Sequence, residues 1–159
     1  MVVSWAYSPR ASLTLDVPEG QLRPGSAFRV RVTLFPQERL NIRAATLDLV
    51  YAETRFARTV LDGYQEHTTY QVHVSEEFLR QWEAEAGVPV CREVEFRLPE
   101  EAQRRTEDRP TLGAWQVRAK IDLRWRPNIR CWRMLTVQTP GLSEGPDMEG
   151  KEILPWDLR

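Results

Sequence analysis

Polar side chains, most of them cationic, recur at every second position in one stretch of the sequence, Gly113–Arg126. Apolar residues from Trp115 to Trp125 alternate there with a polar phase made of Gln116, Arg118, Lys120, Asp122, Arg124 and Arg126. Guanidinium and ammonium groups aligned in this way can form charge-assisted hydrogen bonds with carboxylates or phosphates. The segment Arg109–Arg133 holds seven cations and one anion, although the whole chain carries a net charge of −1. The candidate cationic partner-binding residues are therefore Arg118, Lys120, Arg124, Arg126 and, on the following strand, Arg130.

Two interpretations of this basic face are open. It can bind an acidic protein, a phosphorylated segment or a nucleic-acid backbone. Alternatively, it solvates an outer sheet face and pairs across strands with Asp48, Glu93 or Glu95. A nucleic-acid site usually adds exposed aromatic rings for stacking, but Trp115 and Trp125 fall on the apolar phase that we predict to be buried. Protein binding is therefore the favoured function, and polyanion or nucleic-acid binding through the 113–137 hairpin is the alternative.

Two tryptophans are further candidates for partner binding. If Leu135 and Val137 face inward, Trp132 points outward among arginines and can anchor a partner. A bulge that turns Trp132 into the core is the other possibility. Trp156 belongs to the apolar end of the chain, Ile153–Leu158, which we expect to dock on the domain or on a partner.

The residues that usually carry catalysis do not form a recognisable arrangement. His67 and His73 lack the spacing to Cys91 or to an acid that a metal site requires. Glu93 and Glu95 lie two apart on one strand face, where both carboxylates share the same solvated environment, whereas acid–base catalysis needs unequal environments. We therefore predict a protein that is not an enzyme and that has no cofactor and no metal.

Alternating apolar residues predict a chain of antiparallel strands separated by turn residues. One exception is Ser75–Gly87, where an N-cap serine, two early glutamates and a terminal glycine predict a short helix. Another is Arg55–Thr69, which is polar and predicts a mobile excursion or an irregular edge. The predicted fold class is all-β, an antiparallel immunoglobulin-like sandwich of about seven strands with one short helix. The predicted strands cover 12–17, 28–34, 40–51, 70–74, 91–98, 113–126 and 129–137.

Composition places the chain among ordinary globular proteins of one domain. We assign the sandwich to residues 1–138 and a flexible C-terminal tail, docking at its end, to residues 139–159. No apolar run is long enough for a membrane span, and the first residues do not resemble a signal peptide, which predicts a cytoplasmic protein. Cys91 and Cys131 are expected to be buried free thiols, although pairing is possible if their strands are neighbours.

Several segments together resemble the N-terminal type of arrestin domain. One is the strand Leu13–Asp16 with the turn Arg23–Gly25, and another is the strand end Leu47–Tyr51. A third is Phe96–Pro99 followed by Trp115–Ile121. It is similar to the arrestin pattern in which a Phe-x-Leu-Pro strand end leads through a loop to a Tyr-x-Val-x-Ala-x-Leu strand.

The resemblance extends distantly to bacterial sporulation-control arrestin-like proteins, which have two such domains where this chain has room for one. It implies an arrestin-like sandwich that works as an adaptor or scaffold through its loops and strand edges, and not as an enzyme. A protein partner is thus expected, and a homodimer through an edge strand or the tail is possible.

Overall fold

Eight β-strands make up the secondary structure of the computed structural model, which describes residues 2–8, 10–59, 63–102 and 111–138. No helix is found in these described residues. Every strand pair is antiparallel, and a single parallel bridge joins Leu22 to Val137. The strands are β1 (Val2–Ser8), β2 (Ala11–Val17), β3 (Ala27–Pro36), β4 (Leu40–Thr59), β5 (Gly63–Ala84), β6 (Val90–Arg97), β7 (Thr111–Leu123) and β8 (Ile129–Leu135).

The strands form two four-stranded sheets with the orders β1-β2-β3-β6 and β5-β4-β7-β8. Strict alternation in β2 and β3 places one side of each of these strands against the other sheet, because successive side chains of a strand point to opposite faces. Burial of each large aliphatic side chain contributes roughly 1.5–3 kcal/mol. This arrangement confirms the predicted antiparallel sandwich. The fully buried aliphatic residues include Leu13, Leu15, Val30, Val32, Leu34, Leu47, Leu49, Val117 and Ile121.

The predicted helix over Ser75–Gly87 is wrong, because this segment belongs to strand β5. Ala45 pairs with Leu79 and Thr46 pairs with Glu77, so Phe78 is an extra residue on β5. In such a β-bulge two residues of one strand lie opposite a single residue of its neighbour, which shifts the inward–outward alternation of the bulged strand. Phe78 and Leu79 consequently both pack against the core. Two adjacent core residues break the two-residue period, and the resulting spacing resembles that of a helix.

The segment Arg55–Thr69 is also more regular than predicted. β4 and β5 continue as a paired hairpin from Arg55 opposite His67 to Thr59 opposite Gly63. The hydroxyls of Thr54 and Thr68 lie 2.9 Å apart across this hairpin. The polar composition that suggested an irregular excursion belongs to paired strands, in which Arg55, Phe56 and the side chains of 65–67 are exposed.

A second bulge in β5 decides which way its aromatic residues face. Leu49 pairs with Val74 and Val50 pairs with Val72, which leaves His73 as the extra residue. Val74 therefore packs toward the core, whereas Val72 and Tyr70 lie on the opposite, outer side of the sheet. A strand without the bulge would place Tyr70, Val72 and Val74 on one face, as the sequence pattern suggests.

Strand β7 ends at Leu123, three residues earlier than predicted, and Arg124–Asn128 form the turn to β8. Trp125 is 98% exposed, so the prediction that it is buried is wrong. The φ angle of Trp125, 61°, lies in the left-handed region, which residues with a β-carbon rarely adopt. Leu123 is paired with Ile42 near the beginning of β4, and one further backbone hydrogen bond runs from the Arg124 amide to the Asn41 carbonyl at 3.1 Å before the turn.

Replacing Trp125 with glycine is expected to raise the free energy of unfolding by about 0.5–1 kcal/mol, because glycine adopts the left-handed conformation without steric cost. Urea denaturation measures the change. Trp125→Ala is the matched control, since it removes the exposed ring but keeps the β-carbon, and its stability should stay close to that of the wild type. Equal stabilities of the glycine and alanine variants would contradict a strained turn.

The two cysteines form no disulfide and lie in different sheets. Cys131 is buried on β8, as expected. Cys91 is exposed, which corrects the prediction for that residue, because its strand β6 turns this phase toward solvent. Among the described residues, no helix has the length and apolar character needed to cross a membrane.

Candidate functional site

The outer side of the β5-β4-β7-β8 sheet carries a cluster of large side chains that we call the outer patch. It takes two residues from each of the four strands, and these residues lie on the side of the sheet that faces away from the core. Its members are Val50 and Ala52 on β4, Tyr70 and Val72 on β5, Gln116 and Arg118 on β7, and Trp132 and Met134 on β8.

Strand register brings these residues together. Val50 lies between Val72 on one side and Gln116 on the other. Gln116 is in turn opposite Met134, and Arg118 is opposite Trp132. Trp132 therefore points outward, which settles the two possibilities that its sequence left open. The patch runs across the strands, and three interstrand spacings give it a width of about 14 Å.

Four members of the outer patch are large apolar residues with about half of their surface in solvent. The exposed fractions are 54% for Tyr70, 55% for Val72, 54% for Trp132 and 49% for Met134. Val50, by contrast, is 1% exposed although it lies on the outer side of the sheet. The larger side chains around Val50 thus cover the centre of the patch and leave an apolar rim exposed.

Arg118 is held flat across the patch instead of extending into solvent. Its guanidinium carbon lies 3.9 Å from the centre of the Tyr70 ring, which is a cation–π contact. Its Nε donates a hydrogen bond of 3.2 Å to Oε1 of Gln116. The amide of Gln116 donates to the sulfur of Met134 at 3.5 Å. This series of contacts links β5, β7 and β8 and fixes the polar atoms of Arg118 and Gln116. Asp48 on β4 lies opposite Arg118 and accepts a hydrogen bond from the Ser75 hydroxyl.

Beside the apolar rim lies a pair of cations that face each other. Lys120 and Arg130 are directly opposite in the β7–β8 register, about 7 Å along the strands from Arg118 and Trp132. Like charges in this position repel. In the part of the chain that the structure describes, neither Lys120 nor Arg130 forms an ion pair. On β4, Thr46 lies opposite Lys120. On β5, Glu77 lies opposite Thr46 and forms an ion pair with Arg80 at 3.6 Å.

Several cations elsewhere on the sandwich have carboxylate neighbours, whereas others, such as Arg97, donate to a backbone carbonyl. On the other sheet, Arg31 lies 2.9 Å from Glu93 and Arg29 lies 3.7 Å from Glu95, both across strands. The Glu93 contact raises the pKa of Arg31, first through its hydrogen bond and then through its charge. The predicted pairing of the hairpin cations with Glu93 and Glu95 is therefore wrong, because these carboxylates belong to the other sheet. Asp48, the third predicted partner, lies directly opposite Arg118 in the β4–β7 register.

The predicted cationic residues divide into two groups. Arg118, Lys120 and Arg130 share the outer side of the sheet, as their spacing indicates. Arg124 and Arg126 lie instead in the β7–β8 turn, where Arg126 forms an ion pair with Glu38. Trp156, the remaining candidate, lies outside the described residues, as does the whole predicted tail 139–159.

Sequence reasoning missed Tyr70, Val72 and Met134 as members of the site. Tyr70, Val72 and Val74 alternate in the sequence as if they lay on one face of the strand. The bulge at His73 places Tyr70 and Val72 on the face opposite to Val74. Met134 could have been found, since it alternates with the inward Leu135 and shares its phase with Trp132. No local signal in the sequence marks the bulge.

A small cleft at the side of the sandwich also lies near titratable groups. Its lining includes Tyr51, His73, Glu101 and Trp115, and its volume is about 220 Å³. Burial, and secondarily the charge of Glu53, raises the pKa of Tyr51 above its usual range, so the phenol stays neutral at physiological pH. His73 packs edge-on against Trp115 at 5.8 Å. The described residues contain no group of three side chains that could hold a metal ion.

Comparison with known proteins identifies the fold and leaves the function open. No protein-family model matches the chain, and no curated protein matches it in sequence. Among solved structures, the sandwich is similar to Spo0M, a sporulation control protein from Bacillus subtilis, with a TM-score of 0.64 and 14% sequence identity. The match covers 83% of this chain and 51% of the Spo0M chain, so this chain spans about half the length of that protein. The predicted arrestin-like fold is thereby confirmed.

Proposed function

We propose that this arrestin-like sandwich is a non-catalytic protein-interaction module, an adaptor or scaffold, and that its partner binds the outer patch. The observation that carries the proposal is the gathering of Tyr70, Val72, Trp132 and Met134, each about half exposed, on one sheet face. Isolated exposed apolar residues are common on soluble proteins, but contiguous apolar patches mark interaction surfaces.

The composition of the patch supports binding to a protein. Aromatic residues, methionine and arginine are enriched in the buried cores of protein interfaces, and the outer patch contains all three. Arg118 and Gln116 are already fixed by their mutual hydrogen bond, so their ordering costs little when a partner binds. A rigid site of this kind needs no rearrangement of the sheet.

The role of the similar protein supports an adaptor only indirectly. Spo0M is described as a sporulation control protein, which is a regulatory role. For this chain we take from it the arrestin-like fold and propose that a regulatory partner binds it. Binding of a polyanion remains the second candidate, because the opposed cations Lys120 and Arg130 have no ion-pair partner among the described residues.

The test is a pull-down from lysate of the source organism with the full chain as bait. The proposal expects a defined protein that survives nuclease treatment and moderate salt, and whose recovery falls at least about tenfold when Tyr70 and Trp132 are both replaced by alanine, which is typical of interface anchors. Phe35→Ala is the matched control, because Phe35 is a comparably exposed aromatic residue, 46% exposed, on the other sheet.

Two results would contradict the proposal. Capture of nucleic acid that disappears with nuclease and with increasing salt would make polyanion binding the better account. Equal recovery of the protein partner by the wild type, the patch variant and the Phe35→Ala variant would place the interaction elsewhere on the molecule.

A further inference from the structure

From the charges around the outer patch we infer that its partner is an acidic amphipathic helix, with an apolar stripe that covers the patch and carboxylates that face Lys120 and Arg130. This inference rests on the proposed function, because it specifies the partner of the same surface. It is carried by three observations: the shape of the apolar rim, the position of the two cations, and the hydrogen bonding of the strands beneath.

The apolar rim requires a partner with an apolar stripe. Tyr70 and Val72 lie at one edge of the sheet and Trp132 and Met134 at the other, about 14 Å away. A helix rises 1.5 Å per residue, so about ten residues span this width. Side chains spaced three and four residues apart on one helix face would contact both ends of the patch.

The cations require acidic groups on one side of that stripe. Lys120 and Arg130 repel each other across the β7–β8 pair and have no ion pair among the described residues. Other surface cations of the sandwich, such as Arg31 with Glu93 and Arg43 with Asp122, have carboxylate neighbours. A carboxylate from a partner would relieve the repulsion between Lys120 and Arg130. A second copy of this chain would instead meet the patch with the same face, which adds a second set of Arg118, Lys120 and Arg130 to the interface.

The strands beneath the patch favour a helix over an extended peptide. β4 and β7 lie in the interior of the sheet, and their backbone groups are paired on both sides. An added β-strand needs an unpaired sheet edge, which the face of the sheet does not offer. A helix satisfies its own backbone hydrogen bonds and can therefore rest on side chains alone.

The experiment uses two synthetic helical peptides with the same leucine stripe and about 14 residues each, one flanked by glutamates and the other by lysines. Fluorescence anisotropy with the full-length chain measures both affinities. We expect the glutamate peptide to bind the wild type at least about tenfold more tightly than the lysine peptide. In the Lys120→Glu, Arg130→Glu double variant this preference should reverse, because the charges are exchanged.

Two variants separate the charge effect from binding itself. Arg29→Glu, on the outer side of the other sheet, should leave the preference unchanged. Trp132→Ala should weaken the binding of both peptides by a similar factor. Trp132→Ala could weaken the binding of both peptides while the double charge reversal leaves the preference between them unchanged. The patch would then bind proteins, but its partner would not be acidic. That result overturns this inference and leaves the proposed function standing.

Other occupants of the patch give recognisable results that would also overturn the inference. If the peptides bind only after Leu154 and Trp156 are replaced by alanine, the C-terminal segment of the same chain occupies the patch. If the chain sediments as a dimer that dissociates on Trp132→Ala, a second copy occupies it. Equal affinity for the two peptides in the wild type excludes the acidic partner directly.

Discussion

Replacement of Leu49 by alanine is expected to lower the free energy of unfolding by about 3 kcal/mol. Leu49 has no exposed surface and lies on β4 of the β5-β4-β7-β8 sheet, opposite Val74 on β5 and Val117 on β7. The cost combines the lost transfer free energy of the side chain with the cavity that remains between the two sheets. Urea denaturation followed by circular dichroism measures it.

Val72→Ala is the matched control for this substitution. Val72 lies on the same strand pair and is 55% exposed, so its replacement should change the free energy of unfolding by no more than about 0.5 kcal/mol. If Val72→Ala proves as destabilising as Leu49→Ala, the assignment of inner and outer sides in β4 and β5 is wrong.

Two deletions in β5 are expected to differ in their effect on stability and on the outer patch, although each removes a single residue. Without His73, Val74 can stay opposite Leu49 and Val72 opposite Val50, because the bulge simply disappears. The main loss is the edge contact between His73 and Trp115, so the expected cost is about 1 kcal/mol. The outer patch keeps all its members.

Deletion of Gln71 moves Tyr70 to the inner side of the sheet, because the side-chain period of a strand is two. The Arg118–Tyr70 contact and the contact between the Thr54 and Thr68 hydroxyls are then lost. We expect a cost of about 3 kcal/mol, since these losses add to the uncovering of Val50. Thermal unfolding of both variants, together with their binding to the glutamate peptide, measures the difference. Equal stability and equal binding would show that the bulge does not set the direction of Tyr70.

Much of the fold could be predicted because most strands keep a strict two-residue period. In β3 the alternation from Phe28 to Leu34 corresponds to the observed burial without exception. The arrestin-like resemblance rested on such segments and was confirmed. β5 could not be predicted, because its two bulges shift the phase at Phe78 and at His73. Bulges depend on the pairing with β4, which is set by residues distant in the sequence.

The candidate site was predicted in part for the same reason. Arg118, Lys120, Arg130 and Trp132 lie on β7 and β8, where the period is uninterrupted and the outer side can be read from the sequence. The contribution of β5 depends on the bulge and was missed. Trp125 was wrongly placed in the core because the alternation continues in the sequence beyond Leu123, where the neighbouring strand pairing has already stopped.

The contact between Arg118 and Tyr70 joins two strands that share no hydrogen bonds, since β4 lies between β7 and β5. An edge strand is normally held only by its single neighbour, and its backbone opens more readily than that of a central strand. Here the Arg118 side chain of β7 extends across β4 and contacts Tyr70 on the edge strand β5. Local opening of β5 around Tyr70 therefore requires the loss of this contact as well as of its hydrogen bonds to β4. A ligand that rests on both residues would slow such opening without adding any bond to the backbone.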